Sequence, residues 1–210
     1  MKGASKMNEH CFNRAEISGK ISSEPSFSHN LFGESFYTMA IDVKRLSGIS
    51  DTVSVTVSDR ICDIAQLTLG VPVYIKGEYR SYNRHEASHT RLMLSLFAKE
   101  LEFAKQSEDV NFITLCGYIC KPVQFRQTPQ KREIADMLVA VNRRFNKSDY
   151  IPGIAWGRNA RFASQLPVGT LVGITGRIQS RQYVKVDENQ KETLFTAFEV
   201  SVAKIETIVI

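Results

Sequence analysis

Apolar and polar residues alternate along most of this chain in short runs, which is the pattern of β-strands with one buried face. In residues 111–119, Ile113, Leu115 and Ile119 share one parity with Gly117. Four similar runs begin near residues 136, 150, 171 and 194. In segment 158–166 the apolar residues lie one helical turn apart instead, which predicts a short helix. The second half is therefore predicted to contain five strands, with a helix between the third and the fourth.

The first half of the chain repeats this pattern. Arg45 and Asp51 recur as Arg143 and Asp149 at an offset of 98 residues. The offset reaches 104 near the chain end, and the extra residues fall at the tip of one hairpin. A constant period with insertions confined to a loop indicates a duplicated unit. Five strands with a helix between strands 3 and 4 is the order of an oligonucleotide-binding (OB) barrel. We therefore predict an all-β chain of two tandem five-stranded OB-fold barrels, each with one such helix.

The two predicted domains comprise residues 10–104 and residues 111–210, and the polar stretch 105–110 separates them. In the first domain the helix is expected within residues 58–67, with Ser58 as its N-cap. Charge distinguishes the two halves. Residues 1–110 carry 13 Lys and Arg against 14 Asp and Glu, whereas residues 111–210 carry 14 against 8. A basic half beside a neutral one is compatible with a polyanionic ligand.

The fourth strand of the second domain carries a polar row opposite its apolar face. Alternation places Arg177, Gln179, Arg181 and Tyr183 on that row, and such a row offers phosphate contacts together with a stacking surface. A single tryptophan can equally be a core residue. We nevertheless expect a half-exposed Trp156 ring, because the third strand places it with Tyr150 and Arg158.

Two other regions carry weaker signals. Segment 125–136 is either a solvated loop or a flexible arm over a groove, and its candidate binding residues are Phe125, Arg126, Lys131 and Arg132. In the first domain, Tyr82 and Arg80 retain a basic and aromatic strand. The third strand there has Thr52 and Ser58 in place of Tyr150 and Trp156, so no stacking platform is expected on it.

Enzymatic chemistry finds no support in the sequence. It contains no Gly-rich phosphate loop, no HExxH and no CxxC pair, so we predict no catalytic residues, no metal, no cofactor and no small-molecule substrate. No apolar run is long enough to span a bilayer, and residues 1–10 lack a secretory core. A cytoplasmic protein associated with the nucleoid is expected, without a membrane partner.

The second domain resembles the bacterial single-stranded DNA-binding proteins, in particular their tandem-OB clostridial variety. The resemblance lies in FRQTPQKREIADMLVAVNRRFNKSDYIPGIAWGRNA and in GRIQSRQY. It implies that Tyr150, Trp156 and Tyr183 stack on bases and that Arg158 contacts phosphate. The first domain matches in its glycines and in GEYRSYN but departs at its third strand. A structural or oligomer-forming role with weaker nucleic-acid binding is therefore expected for it.

The resemblance implies non-catalytic binding and protection of single-stranded DNA in replication, recombination or repair. Family members usually assemble four OB barrels, so a homodimer of this chain is expected. Two alternatives stay open from the residues alone. One is an OB-fold interaction scaffold of a primosome or mobile element with weak DNA contact, and the other is single-stranded RNA binding.

Overall fold

β-strands make up most of the molecule. The computed structural model describes residues 12–45, 47–85, 90–104, 110–186 and 192–209. The strands are β1 (Asn13–Ile21), β2 (Ser26–Leu31), β3 (Glu34–Lys44), β4 (Ser50–Ser58), β5 (Pro72–His85), β6 (Thr90–Phe103), β7 (Asn111–Ile119), β8 (Gln124–Gln127), β9 (Glu133–Arg143), β10 (Lys147–Trp156), β11 (Leu171–Val186) and β12 (Glu192–Thr207). Helix α1 (Arg158–Ser164) lies between β10 and β11. The predicted all-β class is confirmed.

Strand pairing closes a ring in each half of the chain. In the first unit, β1–β6, the ring runs β1, β3, β4, β6, β5 and back to β1. In the second unit, β7–β12, it runs β7, β9, β10, β12, β11 and back to β7. In both rings one contact is parallel, β4 with β6 and β10 with β12, and the others are antiparallel. The expected boundary falls largely on residues 105–109, which lie outside the described residues.

Alternation along each strand builds the core. Ile113, Leu115 and Ile119 of β7 are buried, as their shared parity predicts. Ala15 and Ile17 of β1 are likewise buried. These side chains belong to one continuous cluster of buried residues that includes both units.

Each unit has a sixth strand outside its ring. β2 pairs only with β3, and β8 pairs only with β9. Both are short, with every residue exposed. The interpretation of segment 125–136 as a loop or a flexible arm was therefore wrong at both of its ends. Residues 125–127 lie in β8, which pairs with β9, and residues 133–136 belong to β9 itself.

The connection between the third and fourth ring strands differs between the units. In the second unit α1 buries Ala160 and Ala163. In the first unit the same place holds only a 3₁₀ turn at Ile64–Gln66, where the Asp63 carboxylate accepts the Ala65 N–H. Ser58, the expected helix cap, is instead the last residue of β4 and is buried.

A bulge marks equivalent positions in β5 and β11. The register shifts between Lys76 and Gly77 in β5, and between Thr175 and Gly176 in β11. A Cβ on Gly77 would lie 2.1 Å from the Phe97 carbonyl oxygen, and one on Gly176 would lie 2.1 Å from that of Ser201. Only glycine allows the neighbouring backbone to approach this closely.

The two units join edge to edge through β1 and β7. These strands pair antiparallel, with Ala15 opposite Ile113 at the centre. Asn13 lies opposite Leu115, and Ile17 lies opposite Asn111. In the internal repeat, Asn111 is the equivalent of Asn13, and Leu115 is the equivalent of Ile17. The two outer pairs are therefore the same pair with the units exchanged, so a local twofold axis passes through the central pair.

Two buried carboxylates link the units on either side of this axis. Asp51 of the first unit accepts the Ser180 N–H of β11 at 2.7 Å, and Arg45 donates to the same carboxylate. Asp149 of the second unit accepts the Ser81 N–H of β5 at 2.7 Å. The Arg143 Nε lies 3.1 Å from its other oxygen. The recurrence of Asp51 and Asp149 in the sequence is therefore the recurrence of one inter-unit contact.

The environment of Asp149 favours its protonated form. Burial raises the pKa of the Asp149 carboxyl, and the Ser81 N–H and the Arg143 guanidinium only partly oppose that rise. A carboxyl whose pKa is higher in the folded state contributes stability below its unfolded pKa, and that contribution disappears as pH rises through the folded pKa.

We therefore expect the wild type to lose stability relative to Asp149→Asn as pH increases from about 4 to about 7. Urea unfolding of both proteins at several pH values measures this difference. The exposed Asp59→Asn variant serves as the control. A wild type that gains stability relative to Asp149→Asn as pH rises would contradict the expectation.

Candidate nucleic-acid interface

The outer surface of β10 carries two exposed aromatic rings. Tyr150 is 44% exposed and Trp156 is 41% exposed, whereas Ile151 and Ala155 on the other parity are buried. Trp156 lies six positions after Tyr150 along the strand, a distance of roughly 20 Å. The strand ends at Gly157, whose φ of 53° suits glycine. Arg158 then begins α1, exposed beside the Trp156 end of β10.

A third ring joins this surface from β7. Tyr118 and Tyr150 both pair with Ala140 of β9, so the two tyrosines flank a small residue on one face. Tyr118 is half-buried. Sequence reasoning missed Tyr118, although the alternation of residues 111–119 contains the signal, because the even positions must face away from the buried odd ones. The equivalent row of the first unit is Lys20, Asp42 and Thr52.

A fourth ring lies at the tip of the β9–β10 hairpin. Phe145 is 91% exposed with a φ of 63°, in the left-handed region that a phenylalanine rarely adopts. Arg144 and Lys147 beside it are exposed. Sequence reasoning missed this residue as well, although an aromatic among basic residues in RRFNK is the pattern that single-strand binding favours.

The β8 hairpin contributes basic residues to the Trp156 end of the surface. Arg126 and Trp156 both pair with Ile134 of β9, so they flank it on the same face. The Arg126 guanidinium contacts the Asp136 carboxylate at 2.7 Å. Phe125 is 43% exposed. Lys131 and Arg132 are exposed in the turn that follows β8.

The residues of the predicted polar row on β11 differ in their exposure. Arg177 and Arg181 are exposed, but Gln179 is only 7% exposed. The Gln179 side chain donates to the Glu199 carboxylate at 2.8 Å, and the Arg181 Nε lies 3.5 Å from the same oxygen. Gln179 therefore does not lie on the surface but is buried beside Glu199, which is itself only 6% exposed. Tyr183 pairs with Phe195, and its side chain lies outside the described residues.

Charge on the surface is only partly compensated. Within the described part of the chain, Arg158 and Arg177 form no ion pair, in contrast to Arg126 and Arg181. Two exposed guanidinium groups therefore remain available near the rings. No group of three metal-ligating side chains occurs among the described residues, and among them no helix is both long and apolar enough to cross a membrane.

The first unit presents a different surface at the equivalent positions. Ser58, which corresponds to Trp156, is buried and donates to the Glu34 carboxylate. Of the two candidate residues here, Tyr82 is 50% exposed. Arg80 lies over the Phe97 ring, with its Cζ 3.7 Å from the centroid. The structure therefore brings most candidate residues together on the second unit and leaves Tyr82 and Arg80 on the first.

Comparison with known families finds a match to the second unit. Residues 110–207 match the model of the Single-strand binding protein family. Single-stranded DNA-binding protein 3 of Streptococcus agalactiae is 38% identical over 89 residues, which cover 39% of this chain and 62% of the relative. The single-stranded DNA-binding protein of Clostridium tetani is 34% identical, with coverages of 39% and 61%. The chain thus spans less than two thirds of these relatives.

Two solved structures resemble the whole chain. The wild-type single-stranded DNA binding protein from Thermus aquaticus superposes with a TM-score of 0.72 at 17% identity and covers 95% of this chain and 94% of its own. A deletion mutant of that protein gives a TM-score of 0.69 at 16% identity, with 95% of both chains covered. At this identity the likeness establishes a shared fold.

Proposed function

We propose that this chain binds and protects single-stranded DNA without catalysing a reaction, chiefly through the outer surface of its second unit. One observation carries the proposal: Tyr150 and Trp156 are half-exposed on one face beside the unpaired Arg158 and Arg177. Stacking rings along a basic surface are what sequence-tolerant binding of single strands requires. The family match of residues 110–207 supports the same ligand.

In this proposal the two units are tandem OB-fold domains of the clostridial type, residues 10–104 and 111–210. Bases stack on Tyr118, Tyr150 and Trp156, and Phe145 extends the surface at the hairpin tip. Tyr183 adds a further ring from β11. The first domain has a mainly structural role, because Lys20, Asp42, Thr52 and Ser58 replace the rings of the second. Such a protein acts on exposed single strands at the bacterial nucleoid, in replication, recombination or repair.

Phosphate contacts come from the exposed cations around the rings. Arg158 and Arg177 are available without breaking an ion pair in the described residues. Lys131 and Arg132 lie in the turn after β8. Arg126 and Arg181 first have to leave Asp136 and Glu199, so we assign them smaller contributions. Gln179 holds Glu199 in place and has no direct contact with DNA.

Replacement of Trp156 by alanine should weaken oligo-dT binding about ten- to a hundredfold, because stacking of one base contributes roughly 1–3 kcal/mol. Fluorescence anisotropy of labelled oligo-dT measures the affinity, and titration with oligo-U compares RNA. Wild-type emission should be quenched by DNA, since Trp156 is the only tryptophan.

Thermal melting provides the control for this variant. Because the ring is 41% exposed, Trp156→Ala should lower the melting temperature less than Ile151→Ala, which empties a buried site. Unchanged affinity together with unchanged emission would exclude this surface as the binding site. Tighter binding of oligo-U than of oligo-dT would favour RNA as the ligand.

Loss of Arg158 and Arg177 should change the salt dependence of binding. Each lost phosphate contact reduces the slope of log affinity against log salt by about 0.7. The Arg158→Ala/Arg177→Ala variant should therefore have a slope about 1.4 smaller in magnitude than the wild type. The matched control is Lys20→Ala/Lys44→Ala, which removes two exposed cations from the first unit and should leave the slope unchanged. Equal changes of slope in both variants would show that the phosphate contacts are not specific to the second unit.

We also propose that two chains associate as a symmetric homodimer with four OB domains. The support is the four-domain assembly of the family that the second unit matches, together with the two domains in each chain. Light scattering at micromolar concentration should report twice the 23.7 kDa mass of one chain. A mass that stays at one chain over that range would overturn the dimer and leave DNA binding untouched.

A further inference from the structure

An aromatic cluster on the outer face of the first unit has no counterpart among the described residues of the second. Its centre is Phe36 of β3 and Phe97 of β6, whose ring centroids are 5.6 Å apart. His29 of β2 stacks on Phe36 from one side. Arg80 of β5 covers Phe97 from the other. We call this group the Phe36–Phe97 cluster.

The cluster arises from an exchange of large and small residues between the units. In the first unit, Phe36 pairs with Ser58, whereas in the second Ile134 pairs with Trp156. The exchange continues on the next strand. Phe97 pairs with Thr56 of β4, and its equivalent, Ser201, pairs with Ile154 of β10. The small Ser58 thus leaves space that rings from the two neighbouring strands fill.

The surroundings of Phe97 are cationic. The Arg80 Cζ lies 3.7 Å from its centroid, and the Lys99 Nζ lies 5.3 Å from it. Both cations share one carboxylate, that of Glu78, at 2.7 Å and 3.7 Å. Arg80 and Lys99 thus outnumber the one carboxylate with which they pair beside this ring. Cations beside an aromatic ring are the elements of a single-strand binding site.

The His29 ring stacks on Phe36 in the geometry that a nucleic-acid base would adopt. Its ring centroid lies 4.9 Å from that of Phe36, with 11° between the planes, so the two rings are parallel and stacked. Burial under this neighbour and Phe97 leaves Phe36 only 5% exposed. His29 itself is exposed and belongs to the edge strand β2, whose residues are all exposed. Apart from Phe36, its side chain contacts the hydroxyl of Ser28. It can therefore move away without uncovering the core.

We propose that the Phe36–Phe97 cluster is a second base-stacking site for the bound single strand, and that a base enters it by displacing His29. Arg80 and Lys99 then contact the phosphates beside that base. The inference rests on the proposed function, and it gives the first unit a direct role in binding. Binding of a base here costs the free energy of the His29–Phe36 contact, so this site binds more weakly than an open ring on the second unit.

Replacement of His29 tests the proposal directly. His29→Ala removes the competing ring, so oligo-dT of roughly 30 nucleotides, enough for two OB folds, should bind about two- to tenfold more tightly. This range corresponds to the contribution of one aromatic pair. The measurement uses anisotropy of labelled DNA in a Trp156→Ala background, where the first unit contributes a larger share of the affinity.

Two further variants make the test specific. Phe27→Ala is the matched control, because Phe27 lies on the same edge strand but contacts Tyr37 instead, and it should leave the affinity unchanged. In the His29→Ala/Phe36→Leu double variant the gain should disappear, because the ring on which His29 stacks is lost. Circular dichroism checks that each variant keeps the β-sheet spectrum of the wild type.

The outcomes separate this inference from the proposed function. If the wild type binds oligo-dT with quenching of Trp156 but His29→Ala behaves like Phe27→Ala, the second site is refuted and the second-unit surface stands. A gain that persists without the Phe36 ring would refute it too. If the wild type binds no oligo-dT at all, both the proposed function and this inference fail.

Discussion

Antiparallel hydrogen bonding between β1 and β7, centred on Ala15 and Ile113, sets the relation between the two halves of the molecule. Once these strands pair, Asp51 and Asp149 come to lie against the other unit and accept its backbone N–H groups. Buried carboxylates are stable only with such partners. What stays outside this contact is the outer face of each ring.

The two outer faces use the same backbone for different purposes. On the second unit, rings at Tyr118, Tyr150 and Trp156 are partly exposed. On the first unit, the equivalent positions are polar or charged, and the aromatic residues lie on the neighbouring strands instead. The rings there contact one another and are covered by His29 and Arg80. A duplicated unit can change in this way because the buried parity of each strand, which maintains the ring, is independent of the exposed parity.

Much of this arrangement could be predicted from the sequence, and the exceptions have a common cause. Period-two alternation predicted the exposure of Tyr150 and Trp156, because it depends only on neighbours along one strand. The internal repeat predicted that Ser58 would not replace Trp156 in function. Burial of Gln179 could not be predicted, since it depends on a partner on another strand, Glu199. The same holds for the partners of Asp51 and Asp149. β8 was missed because four exposed residues show no apolar period, and Ser58 was misassigned because a buried serine and a helix cap look alike in a sequence.

Covalent connection of the two units changes how their contact responds to dilution. Residues 105–109 join the end of the first unit to the start of β7, and a tether this short corresponds to an effective concentration in the millimolar range. Two separate chains that met through equivalent strands would come apart as protein concentration fell below their dissociation constant. Here the β1–β7 contact forms at the same effective concentration however few molecules a cell contains. Assembly at this interface is thereby independent of expression level, and only contacts between whole chains remain subject to mass action.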